Sequence, residues 1–281
     1  MSTINCRGRL IDLNRPKVMA IVNVTPDSFY SGSRCPSTDE ALARAEEALA
    51  QGADILDLGA YSTRPGAAEV PAEEEWQRLQ PVVTELRRRH PPVVISIDTF
   101  RSSVAERAVE AGADIINDVS GGTLDDQMFA TVARLQVPYV LMHMRGTPAT
   151  MQQHTNYNNL VADVISELSR PLRRLTDMGV HDVIIDPGFG FAKTLEQNYE
   201  LFAHLAEFSI FDRPVLVGIS RKSMIYKLFG ITPEQSLSAT TALNMLALQG
   251  GASILRVHDV PEAVQVVKMW EMMNQNCVGK H

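Results

Sequence analysis

The sequence predicts a single α/β domain, a (β/α)8 TIM barrel over residues 1–281, and three observations point to it. A helix–glycine–strand unit recurs as EEALAQGADILDLGA (46–60), ERAVEAGADIINDVSG (106–121) and NMLALQGGASILRVHD (244–259). In each copy a Gly follows the last helical turn, where left-handed backbone closes a helix, and a short β-branched or leucine-rich run comes next. Eight such apolar runs alternate with amphipathic stretches, as parallel strands covered by helices on their outer side require. The length of 281 residues suits one barrel, and no Gly-x-Gly-x-x-Gly follows the first run, which weakens a dinucleotide-binding sheet.

In chain order the strands are expected at Val18–Val24, Asp54–Gly59, Val93–Asp98, Ile115–Val119, Tyr139–Met144, Val183–Asp186, Val215–Ile219 and Ile254–Val257. Residues 1–16 precede them as a segment covering the bottom of the barrel. Ser37 and Glu40 have capping-box spacing ahead of Leu42, Ala45 and Leu49. Glu73, Glu74 and Glu75 open a helix carrying Trp76, Leu79, Val83 and Leu86, and Arg87, Arg88 and Arg89 close it, so both ends suit the helix dipole. Val161, Val164, Ile165, Leu168, Leu172 and Leu175 mark a longer helix, with a kink or break expected at Pro171. Gln235 to Leu255 is uncharged, but Ser236, Ser238, Thr240, Thr241, Asn244 and Gln249 interrupt it, with Gly250-Gly251 behind them. It reads as a buried helix feeding a strand rather than a membrane span.

Composition excludes other classes. With 26 Lys and Arg against 33 Asp and Glu, the formal charge is −7, against general nucleic-acid binding. The three cysteines, Cys6, Cys35 and Cys277, lie far apart and make neither a disulfide framework nor a zinc motif. The polar amino terminus has no signal-peptide core. A soluble, cytoplasmic protein is expected.

Chemistry in such barrels sits at the carboxyl ends of the strands, and nearly every run here ends in a hydrogen-bonding group. Arg256 and His258, Arg221 and Lys222, with Asn23 adjacent once the barrel closes, form a cationic cluster where phosphate commonly binds. A set of salt bridges to Asp259 or Glu262 would account for the same residues. Asp98, Asn117 and Asp186 form a second cluster, costly to bury unless something donates to it. Lys222 could serve one acid, and a flat heterocycle with a guanidine-like edge the other. Alternatively each Asp caps the helix that follows. Met142 at a strand end could pack on a flat ring. His143 could line the pocket or be structural. The remaining histidines lack metal-ligand spacing, and no nucleophile–base motif occurs. Thr25–Ser37 and Ser62–Pro71 are long for strand–helix loops and read as lids.

NVTPDSF (23–29), STRPG (62–66), SIDTFRSSVAERAVEAGADIINDVSG (96–121), DPGFGF (186–191), GISRKS (218–223) and RVHDV (256–260) together resemble the dihydropteroate synthases of folate biosynthesis, from about residue 17 to 272. The resemblance implies a transferase joining 6-hydroxymethyl-7,8-dihydropterin diphosphate to p-aminobenzoate, with 7,8-dihydropteroate and diphosphate as products. It implies that Asp98, Asn117, Asp186 and Lys222 hold the pterin edge, with Met142 and Phe191 against the ring. Asn23 would ligate Mg2+ on the diphosphate, and Thr63, Arg64, Arg256 and His258 would hold the diphosphate itself. Ser220, Phe29 and Pro65 would shape the p-aminobenzoate site, where sulfonamides compete. Asp98, Lys222 and Asn23 would be the catalytic group, acting in an SN1-like loss of diphosphate. A homodimer through helices late in the chain is implied as well.

Two positions depart from the family pattern: Ser31 stands where an acid is common, and Tyr61 where Glu is common. The first would weaken Mg2+ affinity or pass the role to Asp27. Two other readings remain: a corrinoid methyltransferase using methyltetrahydrofolate, which has no use for a diphosphate cradle, and a non-catalytic pterin-binding paralogue.

Overall fold

The chain begins with a two-stranded antiparallel hairpin, β1 (Thr3–Cys6) and β2 (Arg9–Asp12). Arg7 and Gly8 turn it with φ of 55° and 86°, the double left-handed conformation of a type I′ turn. The computed structural model describes residues 3–24, 36–61 and 70–275.

Eight parallel strands follow: β3 (Lys17–Asn23), β4 (Ile55–Gly59), β5 (Val94–Asp98), β6 (Ile115–Asp118), β7 (Tyr139–Met142), β8 (Val183–Asp186), β9 (Leu216–Val217) and β10 (Ile254–Val257). They pair in the order β8-β7-β6-β5-β4-β3-β10-β9. A parallel bridge between Ile185 and Val215 joins the two ends and closes the barrel. The expected strands are all present, several trimmed. β9 keeps only two residues of a five-residue expectation, because Val215 forms the closing bridge and Gly218 ends the run. β7 stops at Met142, although the His143 N–H still donates to the Asp186 carbonyl at 2.9 Å.

Nine α-helices lie among the described residues: α1 (Pro36–Ala50), α2 (Ala72–Arg89), α3 (Ser102–Ala111), α4 (Met128–Leu135), α5 (Leu160–Asp177), α6 (Leu195–Ala203), α7 (Ser223–Phe229), α8 (Leu237–Gln249) and α9 (Val260–Gln275). Two of them, α7 and α8, fill the single connection from β9 to β10. The Ser37 side chain of the expected capping box lies outside the described residues. α5 runs through Pro171 without a break. Its stripe of Leu160, Val161, Val164, Leu168 and Leu175 is buried along the whole length, and that packing outweighs one lost backbone hydrogen bond. α8 is less buried than expected, since Leu246 on its outer side is 51% exposed. No helix among the described residues is long and apolar enough to cross a membrane.

The barrel interior is layered by the period of two that strands impose. The lowest layer takes one side chain from each of the eight strands: Met19, Ile55, Val94, Ile115, Val140, Ile184, Leu216 and Ile254. Ile4, Cys6 and Leu13 of the amino-terminal segment pack against it in the same apolar cluster, where burial raises the Cys6 thiol pKa to about 12. Two residues further along, seven of the eight strands carry Asp57, Ser96, Asn117, Met142, Asp186, Gly218 and Arg256, while β3 keeps Ile21 there. The change from an apolar floor to a polar mouth is therefore written into alternate positions of the same strands.

Candidate functional site at the carboxyl ends of the strands

Asp57 is the hub of the mouth. It is fully buried in the middle of β4, and an isolated carboxylate there would be prohibitively costly. Its Oδ1 accepts from Ser96 Oγ at 2.6 Å. Its Oδ2 accepts from Asn117 Nδ2 at 3.0 Å and from Arg256 Nε at 2.6 Å. Arg256 then donates through Nη2 to Asp98 Oδ2 at 2.6 Å. The cationic and acidic clusters that the sequence separates are thus joined: Arg256 reaches across from β10 to acids on β4 and β5. Burial pushes the Asp98 carboxyl pKa up to about 7 although the Arg256 guanidinium opposes it, so the charge the acid keeps near neutral pH depends on this partner.

Helix capping does not explain Asp98. The Ser102 N–H at the start of α3 is taken by Asp125 Oδ2 at 2.7 Å instead, and the Asp98 side chain turns to the barrel mouth. Asp186 serves its own turn as well as the mouth, its Oδ1 accepting the Gly188 N–H at 2.8 Å. Burial raises its pKa, countered first by the Lys222 charge. Lys222 is partly buried, donates to the Phe189 carbonyl at 2.6 Å, and lies 4.8 Å from the Phe191 ring centroid. Burial lowers its pKa to about 8, with Asp186 pulling the other way. Met142 and Phe191 meet in a small apolar cluster with Val119, Met144 and Leu124 beside these polar groups. A wall of that kind next to paired acids and amides suits a flat ring with a polar edge.

Towards the rim, His258 Nδ1 lies 3.0 Å from the hydroxyl of buried Ser220. Arg221 is engaged elsewhere: it forks onto Asp259, with Nε to Oδ2 at 3.1 Å, as the salt-bridge reading anticipates for this one cation. Asn23 ends β3 with an exposed side chain. Tyr61 packs edge-on to Phe100 at 5.3 Å, with the Arg101 guanidinium 5.2 Å from its ring centroid, so the aromatic replacement has a partner of its own. Phe29, Thr63, Arg64 and Pro65, with Asp27 and Ser31, lie outside the described residues.

His143 is buried and structural in its contacts, with Nε2 3.0 Å from Glu167 Oε2 and Nδ1 3.0 Å from Lys193 Nζ. Burial lowers its pKa to about 4. Sequence reasoning missed Asp57 and Lys193. A signal for Asp57 was present: an acid inside ILDLG, an otherwise apolar strand, two positions after a floor residue. Lys193 gave a weaker one, a lysine directly after the Gly-Phe-Gly-Phe-Ala turn.

Comparison with known proteins agrees with this geometry. Residues 19–258 match the family model described as pterin binding enzyme. The dihydropteroate synthase of Escherichia coli strain K12 is 43% identical over 267 residues, covering 94% of each chain. A solved Xanthomonas albilineans dihydropteroate synthase with 4-aminobenzoic acid superposes with a TM-score of 0.89 at 41% identity, covering 97% of this chain and 98% of the other. The same organism's enzyme in complex with 7,8-dihydropteroate gives 0.85 at 36% identity, over 98% and 99%. From the floor-and-mouth architecture to identity over nearly the whole length, the observations converge: this chain belongs to the pterin-binding enzyme family.

Proposed function

We propose that the chain is a dihydropteroate synthase, condensing 6-hydroxymethyl-7,8-dihydropterin diphosphate with p-aminobenzoate to give 7,8-dihydropteroate and diphosphate. The observation that carries the site assignment is the convergence of Asp57, Asp98, Asn117, Asp186, Lys222 and Arg256 in one barrel mouth beside the Met142–Phe191 wall. Asp186 accepts the parallel N–H groups of the pterin's amino-pyrimidine edge, a fit between two donors and two oxygens. Asp98, Asn117 and Lys222 complete that edge. His258 and Arg256 flank the diphosphate, together with Thr63 and Arg64. Ser220, Phe29 and Pro65 border p-aminobenzoate.

Asn23 fits Mg2+ as a single hard oxygen ligand: its exposed amide sits at the mouth, and Mg2+ keeps most of its waters and substrate oxygens. Among the described residues no group of three His, Cys, Asp or Glu is placed to hold an ion by itself, so the metal would arrive largely on the diphosphate. When bound it would offset the charge of the leaving group.

In the reaction the carbon–oxygen bond to diphosphate breaks first. The electron pair leaves with diphosphate, and the exocyclic carbon becomes a cation delocalised into the dihydropterin ring, with Asp98 opposing its charge. The neutral amine of p-aminobenzoate then forms the carbon–nitrogen bond and loses a proton. No strong protein nucleophile is needed. Mixing both substrates with the protein should release diphosphate and dihydropteroate together. A corrinoid methyltransferase would release no diphosphate, and a non-catalytic paralogue would turn over nothing. Tight calorimetric binding of p-aminobenzoate to the protein without pterin or diphosphate would reject the ordered sequence.

Lys222 sets an alkaline limit. Its ammonium is present below about 8 and is lost as pH rises through that value. Pterin binding should therefore weaken above about pH 8 in the parent protein and persist to higher pH in Lys222→Arg, whose guanidinium does not titrate there. Identical pH profiles for the two proteins would remove Lys222 from the pterin edge.

The same reading makes the protein a cytoplasmic homodimer. Leu246 on α8 and Met269, Met272 and Met273 on α9, all exposed in the single chain, supply an apolar surface for the partner. Sedimentation at micromolar concentration tests it.

A further inference from the structure

We propose that Lys193 is a positioning residue for the pterin edge: from behind the pocket it fastens the loop carrying Asp186 and Phe191, and it supplies the positive charge against which Asp186 stays a carboxylate. The inference rests on the reading of Asp186 as the acceptor of the pterin's N–H groups.

Lys193 is 3% exposed. Its Nζ lies 3.0 Å from His143 Nδ1, 3.0 Å from the Gly188 carbonyl and 3.1 Å from the Phe191 carbonyl. Burial lowers the Lys193 pKa to about 7 and the Asp186 carboxylate pulls it back up, so lysine and acid hold each other's charge. The ammonium has three N–H donors and no acceptor, and these three partners match it in full. Acceptance at His143 Nδ1 leaves the imidazole proton on Nε2, which faces Glu167 Oε2 at 3.0 Å. The chain of contacts is self-consistent: ammonium, neutral imidazole, carboxylate.

The attachment points flank the working residues. Gly188, whose carbonyl Lys193 holds, gives its own N–H to Asp186 Oδ1 at 2.8 Å. Phe191, whose carbonyl it also holds, offers its ring to the apolar wall. The turn between them has no slack. Gly188 has a φ of 72°, and a Cβ there would sit 2.0 Å from the His143 carbonyl oxygen. Lys222 holds the intervening Phe189 carbonyl from the other side. Two lysines therefore grip three carbonyls of one loop, Lys193 at Gly188 and Phe191 and Lys222 at Phe189 between them.

Charge gives Lys193 more than a tethering role. Burial alone would drive the Asp186 proton on, and Lys193 is among the cations that oppose this, after Lys222 and Arg256. A protonated acid would present one donor and one acceptor to an edge that offers two donors. The charged and titratable groups facing Lys193 are Asp186 on its own loop, His143 and Arg145 after β7, Glu167 on α5, and Lys222 before α7.

Calorimetry with 6-hydroxymethylpterin, which cannot react, tests the proposal on the full chain. Lys193→Gln, which keeps hydrogen-bond donors but loses the charge, should weaken binding about tenfold. Combined with Asp186→Asn it should bind no more weakly than Asp186→Asn alone, because the charge acts through that carboxylate. Unchanged affinity in Lys193→Gln, or additive losses in the double variant, overturns the proposal. If position 193 tolerates no substitution, the lysine Cε signals of the intact protein answer by NMR. The Lys193 titration midpoint should fall on Asp186→Asn, and a midpoint that stays put overturns it. Parent-like pterin affinity in Asp186→Asn would instead remove the underlying assignment of Asp186, a failure separable from that of Lys193.

Discussion

Replacing Asp98 with Asn is expected to cut turnover by about 10²–10³-fold, as loss of one preorganised electrostatic partner of a transition state does, while the fold persists. The side chain sits at the carboxyl end of β5 with its Oδ2 on Arg256 Nη2 at 2.6 Å. An amide oxygen can keep that hydrogen bond. Packing is unchanged because Asn and Asp have nearly the same shape, and Arg256 retains the Asp57 carboxylate at 2.6 Å. The variant loses only the negative charge facing the developing cation. Pterin binding measured by calorimetry should fall far less than turnover, because the edge contacts of Asp186, Asn117 and Lys222 remain. The loss should therefore appear in kcat. A variant that turns over at the parent rate would take Asp98 out of the mechanism, and one that loses pterin affinity and rate equally would make it a binding residue.

Strand positions were legible because a parallel strand covered on both sides is a near-continuous apolar run, and its end is marked where polarity begins. The same rule exposed Asp98, Asn117 and Asp186 at three such ends. Asp57 escaped it by lying inside a run rather than at its end. Only the alternation of inward positions, counted from the floor residue Ile55, singles it out. Pairing across the barrel was not readable at all. Arg256 is 158 residues from Asp98 and 199 from Asp57, and nothing local distinguishes a guanidinium that binds an anionic ligand from one that neutralises its neighbours. Arg221 shows the contrast, since its partner Asp259 lies across the β9–β10 connection and was one of two acids foreseeable for it. Pro171 does not break its helix, for a related reason. A local rule about backbone donors was overridden by the burial of five apolar side chains along α5.

Arg256→Met should be the most destabilising single change in the mouth, by about 3–5 kcal/mol. The thioether fills a similar volume, but Asp57 and Asp98 lose the only cation that hydrogen-bonds to either among the described residues. Asp57 keeps Ser96 and Asn117 as donors, which ease its burial without cancelling its charge. At about 2–4 °C per kcal/mol for a chain approaching this size, Tm should fall by on the order of 10 °C. The pH dependence identifies the cause. Asp98 already has its pKa raised by burial with Arg256 present, and without Arg256 it rises further. A carboxylate whose pKa is higher in the folded than in the unfolded protein binds more protons when folded. Stability from that group is then lost as pH rises from about 4 through the raised folded value. The Tm deficit of Arg256→Met relative to the parent should accordingly be smaller at pH 5 than at pH 8. Adding Asp57→Asn to Arg256→Met should recover part of the loss, because one of the two orphaned charges is gone. A deficit independent of pH, with no recovery in the double variant, would mean that Arg256 stabilises the barrel by packing of its side chain and not by holding two buried acids apart.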